Sequence, residues 1–449
     1  MSALWFETAL LPEGWAARVR LILADGRIAR IEKNVEPRAG DERHAIAIPG
    51  LCNVHSHAFQ RGMAGLAEIR GPAGDNFWTW REVMYRFLDR LTPDDVQAIA
   101  TQAYVEMLQT GFTRVGEFHY LHHDPAGVPY ANIAEMAERI AAAAQETGIG
   151  LTLLPVFYAH SNFGGAPPVP GQRRFINTMD GFARLVDASR NAIAVLDDAN
   201  IGVAPHSLRA VTPEELAAIV PLANGGPVHI HAAEQIKEVD DCIAWSGARP
   251  VQWLLDRGID SKWCLVHATH VSEAETIALA QSGAVAGLCP ITEANLGDGI
   301  FPAERYLSAG GRLGLGTDSN ILIDPAGELR ALEYAQRLVA RERNVLAAAP
   351  GHSTGRAVFE AALAGGAQAL GRGAAGLREG AGADLVSLDA AHPSLAGRTG
   401  DALLDSWIFA GGTLDCAWRY GCKLVAGGQH VSAQKIARAY QETMARLLG

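Results

Sequence analysis

The chain is poor in lysine and has no concentrated positive charge. Its 449 residues have a formal net charge of −11. No basic block is present, which argues against nucleic acid as a partner. The lysines are Lys33, Lys237, Lys262, Lys423 and Lys435.

Long apolar stretches are also missing. No run reaches the length that a membrane-spanning helix needs. The N-terminal segment MSALWFETALLPEGW has no basic region before a long apolar core, so no secretory signal is predicted. We therefore expect a cytoplasmic protein that does not bind membranes.

Closely spaced cysteine pairs are absent as well, because no CxxC motif occurs. Several cysteines lie within apolar runs, where a thiol acts as a small hydrophobic group. We expect reduced thiols rather than disulfides or thiolate metal ligands. The cysteines are Cys52, Cys242, Cys264, Cys289, Cys416 and Cys422.

What the chain does have is a regular alternation of strand-like and helix-like segments through residues 49–375. The strand candidates are AIAIPGLCNVH, FTRVGEFH, LTLLPVFY, IGVAPH, PVHIHA, WCLVHA, AVAGLCP and RLGLGTD. Helix-like segments between them include PDDVQAIATQAYVEMLQ, NIAEMAERIAAAAQE and TPEELAAIVPLA. In the last, Thr212 is a predicted N-cap, and Glu215 completes a capping box.

Eight successive β–α units predict an α/β fold, a (β/α)₈ barrel of the TIM type. A doubly wound open sheet is the alternative. No GxGxxG motif follows the first strand, which disfavours the nucleotide-binding version of that alternative.

Both ends of the chain are rich in strand-like sequence. Residues 16–33 read AARVRLILADGRIARIEK, where two alternating runs flank Asp25-Gly26 and predict a hairpin. ADLVSLDA and RYGCKLVAGGQHV, near the C-terminus, are similar. We expect a small β-sandwich domain built from residues 1–48 and 376–449, with a terminal helix, and the barrel of residues 49–375 inserted between them.

Several strand candidates end in side chains that bind metals or carry protons. His55 and His57 end LCNVHSH, His231 ends PVHIH, His267 ends WCLVH and Asp318 ends RLGLGTD. The carboxyl ends of barrel strands open on one face, so these side chains should meet there. Imidazole and carboxylate ligands with an open position are typical of catalytic Zn²⁺, with Fe²⁺ or Mn²⁺ as alternatives, and favour hydrolysis.

Strand parity places both imidazoles of each HxH motif on one face. His55 and His57 are therefore expected to share one cation. His231 lies nearer the end of its strand and is expected to reach the metal, whereas His229 is expected to pack one layer deeper. Glu234 is expected beside the metal's water, although a carboxylate in the first turn of a helix is the alternative.

Asp318 can both ligate a metal and accept a proton from its water, although a turn-starting aspartate is the alternative. His267 ends its strand, whereas His270 lies in the following loop, so His267 is the expected member of the site. None of the lysines ends a barrel strand. Related two-metal hydrolases often bridge their ions with a carboxylated lysine, so we expect a single metal.

These residues resemble the amidohydrolase superfamily, in its branch of single-metal aminohydrolases, over nearly the whole chain. Longer segments resemble more specifically the formiminoglutamate deiminases of that branch. One difference is Asn320, which follows GTDS where a histidine is expected in that family. The segments are NVHSHAFQRGMAGLAE, FWTWREVMYR, GEFHYLHHD, GQRRFIN, HSLRAVTPEE, HIHAAEQIKEVDDC, LVHATH and TEANLGDGIFP.

The resemblance implies a role for each matching position. It implies one divalent ion, with Zn²⁺ the best fit, and hydrolysis of a formimino group to a formyl group with release of ammonia. Glu234 matches the proton shuttle, and His267 matches the residue that polarises the water. The implied metal ligands are His55, His57, His231 and Asp318. The implied substrate contacts are Gln60, Arg81, Tyr120, His206 and Arg209.

The small-molecule substrate so implied carries two carboxylates, which call for fixed cations. Arg209 lies over the same barrel mouth as His206 and can supply one, and Arg81 can supply the other or be a solvated surface charge. Barrels of this branch are often dimers, so a homodimer is expected. The alternatives are another aminohydrolase, acting on guanine, adenosine, cytosine or a triazine, and a non-catalytic scaffold with the same fold.

Overall fold

The computed structural model describes residues 2–72 and 74–449. The strands are β1 (Ser2–Leu11), β2 (Gly14–Ala24), β3 (Arg27–Glu32), β4 (Glu42–Pro49), β5 (Leu51–Ser56), β6 (Phe112–His119), β7 (Gly150–Phe157), β8 (Asn200–Ile201), β9 (Ala204–Pro205), β10 (Val228–Ala232), β11 (Trp263–His267), β12 (Val285–Leu288), β13 (Arg312–Leu315), β14 (Leu385–Leu388), β15 (Leu414–Arg419), β16 (Cys422–Ala426) and β17 (Gln429–His430).

The α-helices lie mainly between the parallel strands. They are α1 (Phe77–Leu88), α2 (Pro93–Thr110), α3 (Glu135–Thr147), α4 (Met179–Ala192), α5 (Pro213–Ile219), α6 (Ile236–Ser246), α7 (Pro250–Leu255), α8 (Glu273–Ser282), α9 (Pro290–Leu296), α10 (Ala303–Ser308), α11 (Pro325–Ala340), α12 (Thr354–Ala369), α13 (Asp401–Phe409) and α14 (Ala433–Leu448). Short 3₁₀ helices span Ala58–Met63, Pro170–Gln172, Val220–Ala223 and Pro393–Leu395.

The central strands form a closed parallel barrel. Their order is β10-β11-β12-β13-β5-β6-β7-β8, and β9 also pairs with β7. Parallel bridges from Val203 to Val228 and from Ser207 to His231 join the two ends of this order. The predicted barrel is therefore confirmed, with each strand candidate contributing a strand at the expected place.

One strand candidate, AIAIPGLCNVH, divides into two strands that belong to different sheets. β4 ends at Pro49 and pairs with β1 and β14, whereas β5 begins at Leu51 and pairs with β6 and β13. Gly50 lies at the change. A Cβ there would come within 2.3 Å of Cγ2 of Thr113, so only glycine lets the chain pass from one sheet into the other at this point.

The terminal strands form a separate sheet in the order β17-β16-β15-β14-β4-β1-β2-β3. Its buried core includes Phe6, Leu21 and Trp418. The hairpin predicted at Asp25-Gly26 is confirmed, with φ of 49° and 76° at these two residues. The β-domain built from both termini is confirmed, whereas the domain limits at residues 48 and 376 stay a prediction.

The capping box predicted for α5 is present. Oγ1 of Thr212 accepts a hydrogen bond from the Glu215 amide at 3.2 Å, and Oε2 of Glu215 accepts one from the Thr212 amide at 2.8 Å. The α-helix ends at Ile219, earlier than the predicted segment, and the chain continues as a 3₁₀ turn through Ala223. Pro221 explains the change, because it has no N–H to continue the α-helical pattern.

All six cysteines are free thiols, and only Cys422 is exposed. Among the described residues, no helix is both long and apolar enough to cross a membrane.

Candidate metal centre

Four side chains converge at the barrel mouth where the parallel strands end. They are His55 of β5, His57 just after β5, His231 of β10 and Asp318 beyond β13. Nε2 of His55 lies 3.2 Å from Nε2 of His57 and 3.1 Å from Nε2 of His231. Oδ1 of Asp318 lies 3.4 Å and 3.3 Å from Nε2 of His55 and His57, respectively. The structure thus brings together the residues predicted to be metal ligands.

Backbone carbonyls fix which ring nitrogen faces the cluster. Nδ1 of His57 donates to the carbonyl of Phe118 at 2.9 Å, and Nδ1 of His231 donates to the carbonyl of His206 at 3.0 Å. The Nε2 lone pairs of these histidines therefore point into the cluster.

Imidazole lone pairs packed this closely against a carboxylate need a cation between them. Their separations match ligands placed tetrahedrally about 2.0–2.1 Å from one ion. The residues present therefore fit a divalent metal.

The protonation states also suit metal binding. Burial, reinforced by the neighbouring His57, lowers the pKa of His55 to about 3. Burial likewise lowers the pKa of His57 and His231. Burial raises the pKa of Asp318, but the neighbouring His55, His57 and His267 outweigh it and lower the pKa overall. Neutral imidazoles and an ionised carboxylate are the forms that bind a metal.

Glu234 and His267 lie at the open side of the cluster. Nε2 of His267 is 4.0 Å from Oε1 of Glu234 and 3.9 Å from Oδ2 of Asp318. Burial raises the pKa of Glu234 to about 7. Glu234 can therefore take up or release a proton near neutral pH.

His267 is held as an imidazolium by carboxylates. Burial lowers its pKa. The negative charge of Glu234, the hydrogen bond to Glu293 and the negative charge of Asp318 outweigh burial and raise the pKa to about 10. Nδ1 of His267 donates to Oε1 of Glu293 at 3.2 Å, and the same oxygen accepts from the amide of Cys289 at 2.9 Å. Glu293 was not predicted as a site residue. In the sequence it is a carboxylate three residues after Pro290, in the first turn of α9.

Left-handed backbone turns follow the strands at this mouth. Non-glycine residues have positive φ at Ala233 (53°), His267 (68°), Ala268 (49°), Asp318 (44°) and Asn320 (54°). Such conformations cost energy and persist where the surrounding structure fixes them. Two of these residues, His267 and Asp318, line the cavity at this mouth.

The residues predicted to contact substrate line the same cavity as the cluster. Nε2 of Gln60 donates to the hydroxyl of Tyr120 at 2.8 Å, and Oε1 of Gln60 is buried without a partner. The predicted residues in the cavity wall are Gln60, Arg81, Tyr120, His206 and Arg209, together with His57, His231, Glu234, His267 and Asp318.

Two guanidinium groups of the cavity wall approach the same aromatic ring, that of Trp78. Cζ of Arg81, on α1, lies 4.7 Å from the ring centre of Trp78, and Cζ of Arg209 lies 5.7 Å from the same ring. Nε of each arginine is buried without a hydrogen-bond partner. A buried N–H donor without a hydrogen-bond partner lowers the stability of the protein, so this pair is suited to an anionic group that enters the cavity.

Aromatic residues that were not singled out from the sequence complete the wall. The hydroxyl of Tyr158 accepts a hydrogen bond from Nε2 of Gln172 at 2.8 Å. The residues concerned are Phe77, Trp80, Tyr85, Tyr158 and Phe175. Three of them belong to FWTWREVMYR and one to GQRRFIN, so family resemblance was the available signal.

Two other histidines are directed away from the cavity. Nε2 of His229 donates to the carbonyl of Ala369 at 2.7 Å in the barrel core, as its deeper position predicts. Nε2 of His270 donates to the carbonyl of Asp298 at 2.9 Å. Neither is among the described residues that line the cavity.

Family models match the chain over most of its length. The model for the amidohydrolase family matches residues 46–415. The model for the N-terminal domain of formimidoylglutamate deiminase HutF matches residues 1–45.

The chain is similar to individual proteins over its full length. A formimidoylglutamate deiminase from Pseudomonas aeruginosa is 51% identical over 453 residues, covering 100% of both chains. A crystal structure of an amidohydrolase from Brucella melitensis is 55% identical, covers 100% of both chains and has a TM-score of 0.98. An adenosine deaminase from Xanthomonas campestris, crystallised with bound zinc, is 21% identical with a TM-score of 0.83, covering 99% of this chain and 98% of its own, and shows the shared fold.

Proposed function

The chain belongs to the amidohydrolase family, and on that premise we propose that it hydrolyses N-formimino-L-glutamate to N-formyl-L-glutamate and ammonia. Similarity to a formimidoylglutamate deiminase over 100% of both chains supports this reaction. The observation that carries the substrate assignment is the Arg81–Trp78–Arg209 stack beside the His/Asp cluster. It offers two guanidinium forks to a substrate with two carboxylates.

The family is metal-dependent, and we assign one ion, Zn²⁺, to His55, His57, His231 and Asp318. Three imidazoles and one carboxylate are a donor set that suits zinc. When bound, the ion lowers the pKa of a water molecule toward neutrality and so supplies the nucleophile. None of the described cavity-lining residues is a lysine that could bridge a second ion.

Glu234 is the group that moves protons. It accepts a proton from the attacking water as oxygen adds to the formimino carbon. It gives this proton to the departing nitrogen and then carries the second water proton, lost from the new hydroxyl, to the same nitrogen, so that the C–N bond breaks, ammonia leaves and a formyl C=O remains. A carboxyl group with a pKa of about 7 can perform both transfers at neutral pH.

His267 and Asp318 complete the polar environment of the attacking oxygen. The imidazolium of His267 donates a hydrogen bond toward the negative charge that develops on that oxygen. Glu293 fixes the orientation of the ring from the other side, through the 3.2 Å contact with Nδ1. Asp318 is ionised, so it can also accept a proton from the attacking water.

Arg209 and Arg81 bind the substrate carboxylates, and the polar groups nearer the metal hold the amidine end. Oε1 of Gln60 has no partner in the protein, so it is available to an N–H donor of the formimino group. Tyr120 orients Gln60 through the 2.8 Å hydrogen bond, and His206 lies at the same wall.

The experiment that tests the function is ammonia release by the zinc-loaded protein from N-formimino-L-glutamate. Guanine, adenosine, cytosine and a triazine are assayed side by side with it. We expect turnover of formiminoglutamate alone. Faster turnover of a purine, pyrimidine or triazine assigns the protein to another aminohydrolase of the family, and no turnover of any substrate identifies a scaffold.

We further propose that this reaction serves histidine degradation in the cytoplasm and that the protein acts as a homodimer. Free thiols at all six cysteines are compatible with a reducing compartment. Leu338 and Val339 expose 78% and 64% of their surface on α11, which is compatible with contact to a second chain. Light scattering of the purified protein tests the dimer directly.

A further inference from the structure

The seam of the barrel, where β5 meets β13, carries most of the predicted metal ligands. His55 and His57 lie on the β5 side, and Asp318 lies on the β13 side. Backbone hydrogen bonds cross the seam here: the amides of Thr317 and Asp318 donate to the carbonyl of His55 at 3.0 and 2.9 Å, and the amide of His57 donates to the carbonyl of Asp318 at 3.0 Å. Side-chain hydrogen bonds add to this backbone link and can adjust the spacing between its two sides.

A chain of buried hydrogen bonds crosses this seam. Nδ2 of Asn53 donates to Oγ1 of Thr317 at 2.7 Å, and that hydroxyl donates to Oδ1 of Asn320 at 2.6 Å. Nδ2 of Asn320 then donates to Oγ of Ser56 at 3.1 Å. All four residues are fully buried, so these bonds form in a low-dielectric environment and reinforce one another.

The amide of Asn320 also reaches the backbone of two ligands. Its Nδ2 lies 3.1 Å from the carbonyl oxygen of His57 and 3.2 Å from that of Asp318. One side chain thus contacts the backbone of a predicted metal ligand on each side of the seam.

The backbone conformation explains why asparagine can do this. Asn320 has a φ of 54°, in the left-handed region that asparagine tolerates better than most residues. This turn directs its amide into the seam, and Asn320 is not among the described residues of the cavity wall. The described contacts of the Asn320 side chain are therefore with the seam.

We propose that Asn320 is a positioning residue that sets the distance across the seam between His57 and Asp318. The inference rests on the proposed metal site. Oδ1 of Asp318 faces Nε2 of His55 and His57 at 3.4 Å and 3.3 Å, and both distances cross the seam. Metal–ligand distances tolerate changes of only about 0.2 Å, so a wider seam weakens metal binding.

The test variant is Asn320→Gly, because glycine accepts a positive φ without strain and only the amide is lost. The matched control is Asn224→Gly. Asn224 also has a left-handed φ, of 48°, but is exposed and precedes β10 at the opposite end of the barrel. Both variants and the wild type are loaded with zinc and exposed to a chelator, and the zinc retained is measured over time by elemental analysis.

We expect Asn320→Gly to bind zinc about 10–100-fold more weakly than wild type, the usual effect of losing a partner that supports a ligand. The Co²⁺-substituted variant should also have an altered visible absorption spectrum, which reports ligand geometry rather than general stability. Asn224→Gly should match wild type in both measurements. Wild-type zinc retention and an unchanged Co²⁺ spectrum in Asn320→Gly overturn the proposal, as does an equal loss in Asn224→Gly.

A second pair of variants applies if Asn320→Gly is insoluble. Thr317→Val removes the hydroxyl that links Asn53 to Asn320, and Thr317→Ser keeps it. Weaker zinc binding in Thr317→Val, with recovery in Thr317→Ser, supports the proposal, and equal binding in both variants overturns it. A wild-type protein that holds no divalent metal would instead overturn the proposed function, so the two failures are distinguishable.

Discussion

At the scale of single residues, Glu234 provides the most direct test of the mechanism. We expect Glu234→Gln to keep its zinc and its fold while kcat falls by about 10²–10⁴-fold, because the amide can hydrogen-bond to water but cannot carry a proton. Steady-state ammonia release measures the loss. Glu214→Gln, at an exposed site on α5, is the matched control and should behave as wild type. Turnover within a few-fold of wild type would exclude Glu234 as the proton carrier.

Arg209 tests substrate recognition separately from chemistry. Arg209→Met should lower kcat/KM for formiminoglutamate by an amount equivalent to about 2–5 kcal/mol, since a buried charged partner is lost. Arg209→Lys should restore only part, because an ammonium group cannot reproduce the planar fork. A formamidine without carboxylates should be a poor substrate that is insensitive to both changes. Normal turnover of formiminoglutamate by Arg209→Met contradicts the dicarboxylate assignment.

At the scale of secondary-structure elements, the capping box of α5 gives a measurable stability term. Thr212→Ala removes the hydroxyl that accepts the Glu215 amide, and we expect the free energy of unfolding to fall by about 1 kcal/mol. Thr212→Ser keeps an accepting oxygen and should lose much less. Denaturant titration followed by circular dichroism measures both. Equal stabilities of the alanine and serine variants would show that the cap contributes nothing here.

Strand periodicity and strand ends made most of the elements and the His/Asp cluster predictable. Alternation along β5 and into the residue that follows it places His55 and His57 on one face, and the carboxyl ends of parallel strands share one mouth. Glu293 was not predictable in this way, because α9 meets His267 only through tertiary packing. The inward direction of Asn320 depends on a left-handed turn, which cannot be predicted from the alternation of polar and apolar residues.

At the scale of the whole molecule, metal binding should stabilise the fold as well as activate water. The cluster gathers ligands from β5, β10 and the loop after β13, so an ion bound there connects distant parts of the barrel. At free metal about 1,000-fold above its Kd, the linkage contributes about 4 kcal/mol. Calorimetry before and after chelation should show a lower Tm for the metal-free protein, recovered when zinc is added back. An unchanged Tm would mean that the cluster does not bind metal tightly.

The single residue between β4 and β5 has a mechanical consequence for the whole chain. Backbone hydrogen bonds hold the chain at Gly50. Its amide donates to the carbonyl of Asp384 at 3.1 Å, and the amide of Leu51 donates to the carbonyl of Gly111 at 3.0 Å. The terminal sheet and the first barrel strand are thus joined by one residue whose neighbouring amides are both hydrogen-bonded. His55 lies four residues beyond Leu51 on the same strand. The terminal sheet therefore joins the barrel within a few residues of the first predicted metal ligand.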